Sequence, residues 1–267
     1  MAKSKNPEEW WHRLLTGENP DFPISRVRYL LRFVPSNPRC SFCNAPYGGF
    51  GASLMRLVGK GPSRLTPHLC QQCQSYASRY LGGAEIELSM LFADVRGSTE
   101  LAGKMSTVEF SQIMSRFFAV SSDALTSHNA WVDRFVGDQV VGYFVPGFAG
   151  QKHGNEAILA AQELLRNTGH GNANDPWVPV GIGIHTGKAF VGSIGAENQA
   201  TDITALGDAA NIAARLSSAA KTGEILISEP TVKHADLSVD ALEKRILNLK
   251  GISHPTTVYV VKASGGN

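Results

Sequence analysis

Leu91-Phe-Ala-Asp-Val-Arg-Gly-Ser-Thr99 places an apolar strand candidate, a carboxylate and a Gly-Ser-Thr turn in direct succession, and a helix is expected after the turn. This order sets a hard oxygen ligand beside backbone N–H groups that can hold a phosphate. We interpret Asp94, with Val95 next to it, as metal-binding, and we interpret the turn as substrate-binding through Gly97, Ser98 and Thr99. The simpler alternative is that Asp94 only caps the helix.

Strand and helix candidates alternate along the rest of the chain from residue 86. Ile86–Ala93 predicts a strand, and Val108–Ser127 predicts a long amphipathic helix. Further helices are predicted at Glu156–Asn167 and Asp208–Ala219. The other predicted strands are Trp131–Val136, Gln139–Val145, Val178–His185, Ala189–Ile194, Glu224–Ser228, Leu247–Lys250 and Thr257–Val261.

A second carboxylate, Asp138, lies in the predicted hairpin turn Gly137-Asp138. Carboxylates at two neighbouring strand ends can hold two Mg²⁺ ions, which lie about 3.5–4 Å apart in two-metal sites. The alternative is an ordinary turn residue. Taken alone, each carboxylate fits its structural alternative better, so a third element is needed to decide.

The third element is a helix that begins with Gly207-Asp-Ala-Ala-Asn-Ile-Ala-Ala-Arg215. Asn211 and Arg215 are four residues apart and therefore project from the same face. A guanidinium can stabilise the charge that grows on a phosphoryl group during transfer, and an amide can hold a sugar oxygen. The alternative is that both side chains simply face solvent.

Four motifs follow one another in the order seen in class III adenylyl/guanylyl cyclases. They are Phe92–Thr99, Arg134–Asp138, Gly181–Gly187 with Val191–Gly195, and Gly207–Leu216. Over residues 86–262 the chain therefore resembles the catalytic domain of a class III nucleotidyl cyclase. Residues 1–84 lie outside this resemblance.

The resemblance implies an α+β fold with a ferredoxin-like βαββαβ core and additional elements. It also implies a head-to-tail homodimer with active sites at the interface. Asp94 and Asp138 of one protomer would bind two Mg²⁺ or Mn²⁺ ions, and the products would be a 3′,5′-cyclic nucleotide and pyrophosphate. The other protomer would supply Asn211 to orient the ribose and Arg215 to stabilise the transition state. Lys250 resembles the family's phosphate-contacting lysine.

Base selection is where the sequence departs from the family pattern. Adenylyl cyclases usually carry Lys four residues before the second metal-binding Asp, where this chain has Arg134. The second base-contacting position falls at Thr204, whose hydroxyl can accept from the adenine amino group while Arg134 donates to a ring nitrogen. The resemblance favours ATP as substrate and cyclic AMP as product. GTP, a pyrimidine nucleotide, or a non-catalytic nucleotide-binding sensor remain alternatives.

All four cysteines form two Cys-x-x-Cys pairs, at Cys40, Cys43, Cys70 and Cys73. In a cytosolic chain this spacing is typical of a four-thiolate Zn²⁺ site, with an iron–sulfur cluster as the alternative. We therefore predict a small helical module that is stabilised by a bound metal ion. Short helices are expected at Ile24–Phe33 and Gln71–Tyr80, and the Gly-rich segment between the Cys pairs is expected to be loop.

Charge divides the chain near residue 84. Residues 1–84 carry 11 Lys and Arg against 4 Asp and Glu, a net charge of +7, whereas residues 85–267 carry 14 against 19, a net charge of −5. We predict an N-terminal module at 1–84 and a cyclase domain at 85–267. The basic module could contact nucleic acid, anionic lipid or the acidic domain, although an ordinary solvated face is favoured and nucleic acid is not. We expect no transmembrane segment or signal peptide, and a cytoplasmic location.

Overall fold

The computed structural model describes residues 6–19, 23–31, 34, 38–66, 68–171, 176–195 and 201–263, apart from the side chains of Phe50, Arg134, Val136 and Thr201. The chain divides into two compact units. The first comprises Met1–Glu87, Val145–Gly150 and Lys188–Gly207, and the second comprises Leu88–Phe144, Gln151–Gly187 and Asp208–Asn267. The domain boundary at residue 84 stays a prediction, because the first unit also includes later segments of the chain.

The described residues contain ten helices and eight strands. The helices are α1 (Pro7–Thr16), α2 (Ile24–Leu31), α3 (Gly49–Leu57), α4 (Gln71–Arg79), α5 (Ser98–Gly103), α6 (Thr107–Ser127), α7 (Pro146–Ala149), α8 (His153–Asn167), α9 (Asp208–Ala219) and α10 (Glu229–Ala235). The strands are β1 (Gly82–Val95), β2 (Trp131–Val136), β3 (Gln139–Phe144), β4 (Val180–Gly195), β5 (Thr201–Leu206), β6 (Glu224–Ser228), β7 (Glu243–Leu247) and β8 (Thr256–Lys262). Within this part of the chain, every helix is too short or too polar to cross a bilayer.

The order β1-α6-β2-β3-α8-β4 is the βαββαβ succession of a ferredoxin-like fold, which confirms the predicted α+β class. The strands form one sheet in the order β2-β3-β1-β4-β6-β8-β7, and β5 pairs with β4. Strand β1 is antiparallel to β3, whereas β4 is parallel to β6. Residues 88–93 of β1 are all buried, as expected for a central strand, and Ser89 is the one polar residue among them.

Local sequence signals set the ends of the elements around the predicted site. Helix α6 begins with a capping box in which Ser106 and Glu109 satisfy each other's backbone N–H groups. Strands β2 and β3 are joined by the two-residue turn Gly137-Asp138, as predicted, and Gly137 has a positive φ of 63°. A glycine at the first turn position supplies this left-handed backbone without strain.

Strand β4 is one continuous strand, so the prediction of separate strands at Val178–His185 and Ala189–Ile194 is wrong. Gly187 lies between the two predicted strands, where a turn would be needed, but it has an extended backbone within β4. It is needed for space, because a Cβ there would lie 3.0 Å from Nε2 of His185 and 3.2 Å from Ala209. Close packing, rather than a turn, therefore explains this glycine.

Further elements differ from the sequence predictions, and the short helices α7 and α10 were not predicted. Strand β5 was not predicted, and β7 ends at Leu247, where the predicted strand began. The charged β7 sequence Glu-Lys-Arg is compatible with an edge strand, which lacks a simple apolar signal. Helix α3 occupies a segment expected to be loop. Its Gly51 is buried by close packing, since a Cβ there would come within 2.5 Å of Val34.

Aromatic packing holds the first unit together. Trp10 stacks on Tyr80 with ring centroids 4.3 Å apart. Trp11 is 1% exposed, and its indole N–H donates to the Tyr80 carbonyl at 2.7 Å. Phe42 packs edge-on against Phe148 with centroids 5.2 Å apart. These contacts bury large apolar areas while satisfying the one polar atom that Trp11 carries into the interior.

A line of polar side chains crosses the core of the second unit. Its five hydrogen bonds, 2.7–3.2 Å long, join in order His153 Nδ1, Ser89, Thr186, Thr231, Ser228 and His185 Nδ1. All six side chains are buried. Burial and, to a smaller extent, His234 together lower the pKa of His153 to about 3, and burial lowers the pKa of His185 to about 4. Both imidazoles are therefore neutral in the folded protein at neutral pH.

The two histidines of this line predict acid sensitivity. An unfolded histidine takes up its proton near pH 6.5, whereas the folded ones resist protonation down to about pH 3 and 4. The free energy of unfolding should thus fall as the pH drops below about 6.5, by at most about 1.4 kcal/mol per pH unit for each histidine. Urea unfolding between pH 7 and 5 should show a smaller pH slope for His153→Gln than for wild type. The exposed His254→Gln is the matched control, and equal slopes for all three proteins would contradict the prediction.

Candidate active site and four-cysteine centre

The carboxylates of Asp94 and Asp138 come together where strand β1 ends and strand β3 begins. Asp94 lies near the end of β1 in register with Gln139, the first residue of β3, so the turn residue Asp138 falls beside it. The Val95 N–H donates to the Asp138 carbonyl at 3.3 Å, which fixes the two segments together. The antiparallel pairing of β1 with β3 therefore produces the predicted pair of carboxylates.

The surroundings of this pair disfavour the ionised form of Asp94. Burial raises the pKa of the Asp94 carboxyl, and the Asp138 carboxylate raises it further, while Arg96 opposes both effects. The Asp94 side chain is 20% exposed. Such a partly buried carboxylate pair is a donor set that a hard divalent cation would stabilise.

Arg96 is a site residue that the sequence prediction missed. Its guanidinium forms an ion pair with the Asp94 carboxylate, and its Nη1 donates to the Ser218 carbonyl at 3.1 Å. Ser218 lies in the last turn of α9. An Arg two residues after a candidate metal ligand was the available signal, because the intervening turn can bring the two side chains together.

The turn after Asp94 has the geometry that the phosphate interpretation needs. Gly97 has a φ of 64°, a left-handed conformation that favours glycine, and it precedes the first helical residues Ser98 and Thr99. No side chain caps this helix start, so its first N–H groups are not used by a cap.

Helix α9 presents Asn211 and Arg215 to solvent while its opposite face is buried through Ala209, Ala213 and Leu216. The two exposed residues lie four apart on one face, as predicted. Within the described part of the second unit, no hydrogen bond or ion pair joins either of them to Asp94 or Asp138. The structure thus brings the two carboxylates together and leaves Asn211 and Arg215 available to another surface.

The remaining predicted site residues are described less completely. Thr204 lies on β5, half-buried and opposite Gly192 of β4. Arg134 lies on β2, but its side chain is outside the described residues. Lys250 is exposed in the turn between β7 and β8. Base recognition by Arg134 and Thr204 therefore stays a prediction.

The four cysteines converge as predicted. All are buried and free, and their Sγ atoms lie within 4.8 Å of one another, with Cys43 and Cys70 at 3.7 Å. Backbone N–H groups donate to two of the sulfurs. Cys40 Sγ accepts from Cys43 at 3.5 Å and from Cys70 at 3.3 Å, and Cys70 Sγ accepts from Cys73 at 3.3 Å. Such bonds favour thiolates over thiols.

Two cations next to the cysteines were not singled out from the sequence. Arg28 is 3% exposed, and its guanidinium donates to the Phe42 carbonyl between the first Cys pair. Burial lowers the pKa of Arg28 to about 10, while the thiolates of Cys43 and its neighbours act to raise it. Lys60 Nζ lies 3.9 Å from Cys43 Sγ. Both cations reduce the cost of gathering negative sulfur in a buried place.

Comparison with known proteins identifies the catalytic part of the chain. Residues 84–263 match the family model of the adenylate and guanylate cyclase catalytic domain. An adenylate cyclase of Anabaena cylindrica is 29% identical over 187 residues, which are 66% of this chain and 37% of that protein. A terminal-differentiation-specific adenylate cyclase of Dictyostelium discoideum is 29% identical over 191 residues, 68% of this chain and 9% of that protein. The chain thus spans a minor part of the length of these relatives.

Solved structures give the same result for the fold. The guanylyl cyclase Cya2 is 26% identical with a TM-score of 0.60, and the match covers 70% of this chain and 96% of that one. The adenylyl cyclase CyaB from P. aeruginosa is 28% identical with a TM-score of 0.56, covering 67% of this chain and 96% of that one. Similarity to both kinds of cyclase leaves the choice of base open.

Proposed function

We propose that this chain, which belongs to the family of adenylate and guanylate cyclase catalytic domains, converts ATP to cyclic AMP and pyrophosphate. The observation that carries the proposal is the pairing of Asp94 with Asp138 where strands β1 and β3 meet the turn, a place where burial and the second carboxylate both raise the pKa of Asp94. A structural cap or turn residue would not need a second carboxylate beside it. The family membership then gives the pair a chemical role.

The residues of each protomer have distinct tasks in this proposal. Asp94 and Asp138 hold two divalent cations, which when bound lower the pKa of the ribose 3′-hydroxyl and neutralise the triphosphate. The backbone N–H groups at Ser98 and Thr99 bind phosphate oxygens. The ribose 3′-hydroxyl gives its proton to solvent and its oxygen attacks the α-phosphorus. The new P–O bond forms as the bond from the α-phosphorus to the bridging oxygen breaks, and pyrophosphate leaves with that oxygen.

Asn211 and Arg215 complete the site from a second copy of the chain. Asn211 orients the ribose, and Arg215 stabilises the charge that develops on the α-phosphate. Their exposure on α9 supports this role, because residues that serve a partner's site must reach outward. Lys250, exposed before β8, contacts the phosphates. The active unit is thus a head-to-tail homodimer with two equivalent sites.

The four cysteines bind one Zn²⁺ ion in this proposal. A tetrahedral ion with Zn–S bonds of about 2.3 Å separates its sulfurs by about 3.8 Å, close to the 3.7 Å between Cys43 and Cys70. An iron–sulfur cluster places several atoms between the thiolates and needs a wider cage. The positive charges of Arg28 and Lys60 match the two excess negative charges of a four-thiolate zinc centre.

Mixing two inactive variants tests the shared site. Asp94→Ala and Arg215→Ala should each abolish cyclisation, and subunit exchange between them should restore up to about a quarter of wild-type activity, because half of the dimers are mixed and each has one intact site. Product chromatography after incubation with ATP and Mn²⁺ measures the recovery.

The matched control mixes Asp94→Ala with Asp138→Ala, which damages the metal residues of both sites and should restore nothing. Circular dichroism checks that each variant is folded. Failure of the first mixture, while labelled subunits demonstrably exchange, would contradict the head-to-tail arrangement.

Base selection is tested by kcat/KM for ATP, GTP, CTP and UTP. ATP should be preferred, since Thr204 can accept a hydrogen bond from its exocyclic amine, where guanine has a carbonyl. Thr204→Ala should reduce the preference for ATP over GTP by about tenfold, the value of one hydrogen bond. Arg134→Lys should be tolerated if Arg134 donates a single bond and harmful if its contact is bidentate. A wild-type preference for another triphosphate would contradict the base assignment alone.

Metal analysis tests the four-cysteine centre. The purified chain should contain one zinc per chain, show no iron–sulfur absorption, and lose the metal in Cys43→Ser. Ser41→Ala, in the same loop, should keep it, because the Ser41 hydroxyl is buried without a hydrogen-bond partner among the described atoms. Stoichiometric iron in place of zinc would contradict the assignment.

A further inference from the structure

Helix α3 and its C-cap residue carry an exposed apolar face, which we define as Leu54, Leu57 and Val58. These side chains are 58%, 85% and 57% exposed. Their spacing of three and four residues places them together on one side at the end of the helix. The other side of α3 is packed, since Ala52 is 5% exposed and Gly51 lies against Val34. The apolar face is therefore additional to the surface that fastens α3 to its module.

The charged side chains in the segment around α3 are all positive. Residues 22–84 contain no Asp or Glu, but they contain eight basic residues, Arg26, Arg28, Arg32, Arg39, Arg56, Lys60, Arg64 and Arg79. Arg56, between Leu54 and Leu57, is exposed, and so is Arg64 in the segment after α3. Unlike a mixed solvated surface, this segment offers only positive charge to a partner, so the partner should be anionic.

The chemistry of the exposed apolar side chains separates the anionic candidates. Single-stranded nucleic acids bind basic surfaces through phosphates and stack their bases on aromatic rings. The large exposed hydrophobics described in residues 22–84 are aliphatic except for one tyrosine, and they are Tyr29, Leu30, Leu54, Leu57, Val58 and Leu65. Aliphatic side chains flanked by arginines are instead typical of surfaces that enter the headgroup layer of a bilayer.

We propose that the N-terminal module binds the surface of an anionic lipid bilayer through α3. The apolar face of Leu54, Leu57 and Val58 enters the boundary between headgroups and acyl chains. Arg56 and Arg64 lie in the headgroup layer and contact lipid phosphates. Insertion of the aliphatic side chains and attraction of the arginines act together, since either alone gives weak and reversible attachment.

The loop after α3 ties this face to the four-cysteine centre. The Lys60 N–H donates to the Met55 carbonyl at 2.8 Å, and the Gln71 N–H donates to the Gly61 carbonyl at 2.8 Å. Pro62 forms an isolated β-bridge with Cys70. The end of α3 is therefore presented by a bonded loop rather than by a free tail, which limits the entropy lost when the face inserts.

Sedimentation of the full-length chain with lipid vesicles tests the proposal. The chain should sediment with vesicles of phosphatidylcholine and phosphatidylglycerol, much less with phosphatidylcholine alone, and less as salt is raised. Leu57→Glu should weaken binding by at least about tenfold, since it removes a buried leucine and adds a repelled charge. Arg56→Glu should weaken it mainly at low salt. Ile246→Glu, at a 68% exposed position on β7, is the matched control and should bind like wild type.

Three outcomes would overturn the proposal. Leu57→Glu could bind anionic vesicles as tightly as wild type, which would remove the apolar face from the interaction. It could change the sedimentation coefficient of the chain without vesicles, which would make the face a subunit contact. Wild type could bind a single-stranded oligonucleotide more tightly than vesicles, which would make nucleic acid the partner. Cyclase activity and circular dichroism of each variant show whether the fold is intact.

Discussion

The partial burial of one carboxylate beside another is the constraint on which the candidate active site depends. The antiparallel register of β1 with β3 sets Asp94 opposite Gln139 and so places Asp138 beside it. Burying a carboxylate and placing a second one beside it both cost free energy, and both raise the pKa of Asp94. Arg96 offsets part of this cost by pairing with Asp94 and by anchoring to the last turn of α9. A divalent cation that displaces this contact would act on a carboxylate that is already positioned.

A similar electrostatic cost arises at the four-cysteine centre, where negative sulfurs are buried together. Gathering four sulfurs in a buried place is unfavourable unless positive charge compensates them. Arg28 and Lys60 supply part of that charge from segments outside the Cys pairs. A single buried arginine thus connects α2 to the loop that carries Cys40 and Cys43. Under the proposed metal binding, folding of the segment around the cysteines and assembly of the centre would be coupled.

Sequence patterns predicted the elements whose signal is local. The β2–β3 hairpin, α6, α9 and the convergence of the cysteines follow from turn residues, periodicity and spacing. Features that depend on packing were not predictable. Gly187 lies between two predicted strands but serves close packing in β4, the glycines near α3 suggested a loop but allow a tight helix contact, and charged β7 lies at a sheet edge. Arg96 and Arg28 escaped notice because their roles depend on partners that only the folded chain brings near.

The buried polar line between His153 and His185 imposes a rule on where protons reside. Each hydroxyl in the line can donate only one proton. Thr186 donates to Thr231, and Thr231 donates to the Ile184 carbonyl at 3.4 Å. Ser89 and Ser228 must then donate to Thr186 and Thr231, so each of these serines accepts from the Nδ1–H of its histidine. Both neutral imidazoles are therefore Nδ1–H tautomers. A proton taken up by either ring adds at Nε2 and leaves the line intact, so burial alone opposes the charge.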